Sequence, residues 1–180
     1  MPLAGPSGPA RLVVGLLWSV PEDLALARER LAGRHGPPAR EGGPWPFEAT
    51  DYYTAAMGRE LNRSFLVFAG DFARERLAEE KRAALDLEAE AAARAGAPVA
   101  RPLNVDPGYL TRASLVLATT KDRAHRIYLG SGVFAEVTLL YERGAFRPLP
   151  WTYPDFRSEP YLQFLSETRD ALLGRLEAGS

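Results

Sequence analysis

The chain has no cysteine. That excludes disulfides, thiolate metal sites and a cysteine nucleophile, and it fits a reducing, cytoplasmic setting. Histidine occurs only at 35 and 125, so no second histidine stands at the spacing of a zinc site. Lysine is nearly missing. It stands only at 81 and 121, and arginine supplies the rest of the 22 basic residues. There is no GxxxxGKS/T phosphate loop, no GxGxxG after the first apolar run, no GxSxG elbow and no HExxH. A P-loop GTPase and a conventional dinucleotide enzyme are therefore unsupported. No apolar run reaches membrane-spanning length, and the opening MPLAGPSGPA lacks the positive charge of an export signal. A formal net charge of −1 gives no general attraction to nucleic acid or to an anionic membrane.

What is present fits one ordinary globular domain, since 180 residues with 46% hydrophobic content can bury a full core. Met1 to Ala10 reads as a loose Pro/Gly-rich tail, followed by a single domain over 11–177. Leu12 to Trp18 is an unbroken apolar run, the pattern of a strand covered on both faces. Ser19-Val20-Pro21-Glu22 reads as a capping box opening a helix, with Leu24, Ala27 and Leu31 as its apolar stripe. Gly33, Gly36 and two prolines end that helix, and the segment onward to Pro46 reads as a loop. Asn62 to Ala69 reads as a second buried strand. Asp71 is placed to cap a long helix reaching about Arg94.

Further strands are expected at Pro102–Val105, Ser114–Ala118, His125–Leu129 and Val133–Tyr141, with Asp106-Pro107-Gly108 as a tight turn. Ser158 and Pro160 open a final helix whose inner face carries Tyr161, Phe164, Leu165, Leu172 and Leu176. The fold class is α+β: a mixed or mostly antiparallel sheet with about three helices packed on it. Its first half follows a ferredoxin-like path if Pro46 to Thr50 supplies the second strand.

Register of the hairpin around Gly130-Ser131-Gly132 decides which side chains share a face. A three-residue loop pairs Leu129 with Val133, Ile127 with Ala135 and His125 with Val137, an apolar side. It sets Arg126 across from Glu136 and Tyr128 across from Phe134, with Thr138 beyond. Arg126 and Glu136 then form an ion pair worth ~0.2–1 kcal/mol. A two-residue loop would instead put His125 beside Thr138 and Ile127 beside Glu136; the first register segregates polarity better.

Polar residues of varied chemistry crowd between Asn104 and Ser158. Thr119-Thr120-Lys121-Asp122 follows an apolar strand, where ligands meet sheet edges, and reads either as a polar turn or as an anion site. Arg126, Glu136, Thr138 and Asp51 are candidates for the same ligand site, with Asp106, His125 and Asp155 supporting them. The ligand expected is a phosphate-bearing small molecule. His125 reads as a base or, more commonly on an apolar face, as a packed core histidine. No residue is assigned as catalytic and no metal site is assigned, although Asp51, Asp106, Asp122, Glu136 and Asp155 are of the type that holds Mg²⁺. The alternative is a non-catalytic partner-binding or assembly protein using the aromatic loops 45–53 and 151–157.

The blocks TDYYTAAMG, VDPGYL, VLATTKDRAHRIYLGSGVFAEVTLLY and WTYPDFRS, in this order and spacing, resemble the prokaryotic proteins grouped as domain of unknown function 4416. The resemblance extends over nearly all of the chain after Ala10. It implies a small single-domain cytosolic protein and names no reaction.

Overall fold

A computed structural model describes residues 8–48, 54–58, 60–94, 96–97 and 99–174. Strand β1 (Arg11–Trp18) leads through helix α1 (Pro21–His35) to β2 (Arg40–Pro46), the short helix α2 (Thr54–Met57) and β3 (Asn62–Asp71). A 3₁₀ turn at Arg74–Arg76 opens α3 (Leu77–Ala93), which returns to β4 (Leu103–Leu110). These strands lie in the order β2-β3-β1-β4 with every pairing antiparallel, which is the ferredoxin-like path. The second half adds β5 (Ser114–Thr119), β6 (Ile127–Gly130), β7 (Val133–Glu142), β8 (Ala145–Pro148) and α4 (Glu159–Leu173). It extends the sheet to β2-β3-β1-β4-β5-β7-β6, with β8 also paired to β7. The result is an α+β fold with three long helices on an open antiparallel sheet.

The apolar run of β1 is unbroken because both faces are covered. Leu12, Val14, Leu16 and Trp18 pack with Leu24, Ala27 and Leu31 of α1 and with Ala84, Leu87 and Ala91 of α3. Val13 points the other way, into a core formed by Phe65, Val67, Leu115 and Leu139 with Tyr161, Phe164 and Leu165 of α4. Helices α1 and α3 therefore cover one face, and α4 the other.

Several local expectations are corrected. The second strand is Arg40–Pro46, which Gly and Pro made look like a loop; it lies at the sheet edge, where proline is tolerated. Asp71 ends β3 instead of capping a helix, and its carboxylate accepts from the Ala10 N–H at 2.9 Å. Ala10 is fully buried, so the chain is anchored there; residues 1–7 of the expected tail lie outside the described residues. Helix α1 is capped at Val20, and the Ser19 hydroxyl makes no hydrogen bond, so the capping box does not form.

The 130–132 hairpin closes differently at its tip. Ile127 pairs with Ala135 and Tyr128 with Phe134 as expected, but Gly130 takes the place of Leu129 opposite Val133 across a bulge. Ser131 has φ 53°, and the two glycines beside it are also left-handed, which shortens the loop. The outer strand is not covered: Ile127 and Tyr128 are 69% and 61% exposed.

Asp106-Pro107-Gly108 is not a turn. These residues lie inside β4, paired with Gly15, Val14 and Val13 of β1. On the other side, the ladder to β5 covers only Gly108–Leu110 against Leu115–Leu117. It stops next to Pro107, which has no N–H to donate. Gly108 lets β5 close in at the last rung, since a Cβ there would sit 2.3 Å from the Val116 carbonyl oxygen. Beyond it the two strands part. The backbone of Val105, left without a strand partner on that side, is satisfied by α3: its N–H donates to Glu88 at 2.8 Å, and its carbonyl accepts from Lys81 at 2.7 Å.

Candidate functional site

A cavity of about 160 Å³ occupies this split in the sheet. Asn104 and Asp106 line it from β4, and Leu117, Ala118 and Thr119 from β5. Both lysines of the chain, Lys81 from α3 and Lys121 from the loop after β5, reach it. Arg63, Arg101 and Arg126 complete a set of five cationic side chains facing the three carboxylates Asp106, Glu136 and Asp155.

The inner end is built around Arg63, which is 3% exposed. It stands on β3, and its guanidinium crosses above Gly15 of β1, whose missing side chain leaves room: a Cβ there would lie 3.3 Å from Arg63 Nη1. Arg63 Nη1 donates to Asp106 at 3.2 Å and Nη2 to Asp155 at 2.9 Å. The rings of Phe47 and Phe156 lie 5.6 and 5.7 Å from the guanidinium carbon. Lys81 Nζ stands 3.5 Å from the other oxygen of Asp106, while Asn104 donates to Asp106 at 2.6 Å. Arg101 in turn donates to Asn104 and to Glu88. Arg63 Nε is buried without a hydrogen-bond partner.

The outer end is the segment after β5. The Thr119 hydroxyl accepts from the Lys121 N–H at 3.2 Å, folding the turn back on itself. Arg126 donates to Glu136 at 2.8 Å and, through Nη1, to the Lys121 carbonyl at 2.8 Å. The expected Arg126–Glu136 pair is therefore present, and because each side chain is only 4% exposed it is held more firmly than a surface pair.

Charge is fixed by neighbours. Burial works against ionising Asp106, but Lys81 and Arg63 outweigh it and hold its carboxyl below the ordinary aspartate range. Burial likewise opposes the charge on Arg63, yet Asp155 and Asp106 push its pKa above the usual arginine value. For Tyr161, burial dominates and pushes the phenol up to about 12, so it is a neutral hydroxyl at any physiological pH.

The folded pKa of Asp106 lies below the unfolded value of about 3.9, so its stabilisation is complete above that pH and is lost as pH falls through the folded value. In urea unfolding across pH about 2 to about 6, stability is expected to fall on the acid side, and Asp106→Asn to flatten that fall. Identical slopes for both proteins would refute the assignment.

Of the residues expected at the site, Thr119, Thr120, Lys121, Arg126, Glu136, Asp106 and Asp155 line the cavity. Asp122 is exposed in the same loop and does not line it. Thr138 is fully buried behind Glu136, donating to its backbone carbonyl at 3.3 Å. His125 is not in a strand and not on an apolar face. Its Nε2 sits 2.9 Å from Glu136, and its ring stacks on Trp151 at 5.1 Å. Asp51 lies outside the described residues. Among the described residues, no group of three or more His, Cys, Asp or Glu side chains is placed to hold a metal ion. Arg63, Lys81, Arg101 and Asn104 were not legible as site residues, though the rarity of lysine was a signal for Lys81.

Among the described residues, no helix is long and apolar enough to cross a membrane. No curated protein and no solved structure matches the chain. A family model described as Domain of unknown function (DUF4416) matches residues 8–172, and the chain belongs to that family.

Proposed function

We propose that the protein binds a phosphate-bearing small molecule in the split between β4 and β5. One observation carries this reading: a chain with two lysines brings both into a single cavity, among three arginines and with fewer carboxylates than cations. Ammonium and guanidinium groups are the usual partners of phosphate oxygens, and the hydroxyls of Thr119 and Thr120 add neutral donors beside them. The inner cations are already engaged by Asp106 and Asp155, which keeps them in place before a ligand arrives. A cytoplasmic setting belongs to the same proposal and is supported by the absence of cysteine.

Lys121 is exposed, unlike Lys81, and separates binding from folding. In a thermal-shift series with inorganic phosphate, pyrophosphate and sugar phosphates, a ligand at a hundred times its Kd stabilises by about 2.7 kcal/mol. Lys121→Ala is expected to change unliganded stability by less than about 0.5 kcal/mol and to abolish the shift. A flat wild-type response across the panel, or a shift that survives the substitution, would sink the proposal.

A further inference from the structure

A second cavity, of about 370 Å³, adjoins the first, and Phe47, Pro154 and Asp155 line both. Its chemistry is different. Buried Tyr161 and half-buried Trp45, with ring centroids 5.2 Å apart, supply its deeper aromatic surface. The exposed prolines Pro46, Pro154 and Pro160 supply its rim. Ser158 also lines it, and the Ser158 hydroxyl is buried with no hydrogen-bond partner, although the residue stands at the N-cap of α4.

We propose that the ligand is an organic phosphate carrying a planar ring, the phosphate held in the cationic cavity and the ring against Trp45, Phe47 and Tyr161. The inference rests on the anion-binding reading of the first cavity and adds the other end of the molecule. Adjacency is the main argument. Phe47, Pro154 and Asp155 line both cavities, so a molecule that spans them would carry its phosphate on one side of these residues and its ring on the other. Flat, stiff walls of aromatic and proline rings favour a ring over a flexible chain, because the ring stacks on them and loses little conformational freedom on binding. Two carboxylates line this cavity: Glu48 is exposed, and Asp155 is already held by Arg63, so the shared wall does not repel the phosphate as a free carboxylate would.

Calorimetric titration of the wild-type protein with inorganic phosphate, glycerol 3-phosphate and phenyl phosphate tests this. Phenyl phosphate is expected to bind about tenfold tighter than glycerol 3-phosphate. Saturation-transfer NMR should show its ring protons in contact with the protein, and Trp45→Leu should remove the preference. The NMR measurement needs no variant, so it decides even if Trp45→Leu folds poorly. Equal affinity for the two esters, with no saturation of the ring protons, overturns the ring and leaves the anion site standing. Failure of all three compounds to bind overturns both.

Discussion

Exchange of Arg63 for methionine is expected to lower the unfolding free energy by roughly 3–5 kcal/mol. The loss arises less from the attraction removed than from what is left behind. Asp155 is a buried carboxylate whose side chain is 6% exposed, and Arg63 Nη2 is its partner at 2.9 Å. Asp106 keeps Lys81 and Asn104, so Asp155 is the group that loses most. A double substitution, Arg63→Met with Asp155→Leu, removes the orphaned charge and should recover a large part of the loss, since an apolar replacement of a buried pair is often near neutral. Urea unfolding of the two single variants and the double one gives the coupling directly. If the single Arg63 variant loses less than about 1 kcal/mol, the pair is not what holds this end of the cavity together.

Phe65→Ala should cost about as much, 3–5 kcal/mol, through an unrelated mechanism. Phe65 is 1% exposed and faces α4 from β3, one strand in from the sheet edge. Its ring meets Tyr161 edge-on at 5.2 Å, stacks on Phe164 at 5.9 Å, and lies 5.7 Å from Phe156 and 6.0 Å from Trp45. Gly15, its neighbour on β1, has no side chain to move into the space, so the cavity created cannot collapse easily. The same denaturant measurement decides. A loss under about 2 kcal/mol would mean that α4 settles onto the sheet and refills the gap. Trp45 and Tyr161, which line the aromatic cavity, also rest on this ring, so the substitution should loosen that wall as well.

Much of the architecture was legible because burial leaves a pattern in the sequence. The runs at Leu12–Trp18, Phe65–Phe68 and Leu115–Ala118 read as strands covered on both sides and are strands, and apolar stripes located the helices, although the caps read for α1 and α3 do not form. The failures share a cause. Gly42, Gly43, Pro44 and Pro46 look like a loop, yet they form an edge strand, where a missing N–H costs nothing on the open side. Asp106-Pro107-Gly108 has the composition of a turn, yet β1 supplies enough pairing to keep it extended.

In the site, the Arg126–Glu136 pair could be read because a hairpin brings near neighbours together. Arg63 and Asp155 are 92 residues apart, and no local pattern announces that the start of β3 and a late 3₁₀ turn over 154–157 will meet. His125 was misplaced for a related reason: its partner Trp151 comes from a loop that periodicity does not position.

The parting of β4 and β5 ties the two halves of the chain to one event. Gly108 to Leu110 are the only β4 residues that hold β5, and the cations of the cavity come from both sides of this short join: Arg63, Lys81 and Arg101 from one, Lys121 and Arg126 from the other. A molecule seated between them would act as a rung where the ladder has none. The proposed ligand would therefore bridge the two halves of the chain at the point where the sheet itself does not.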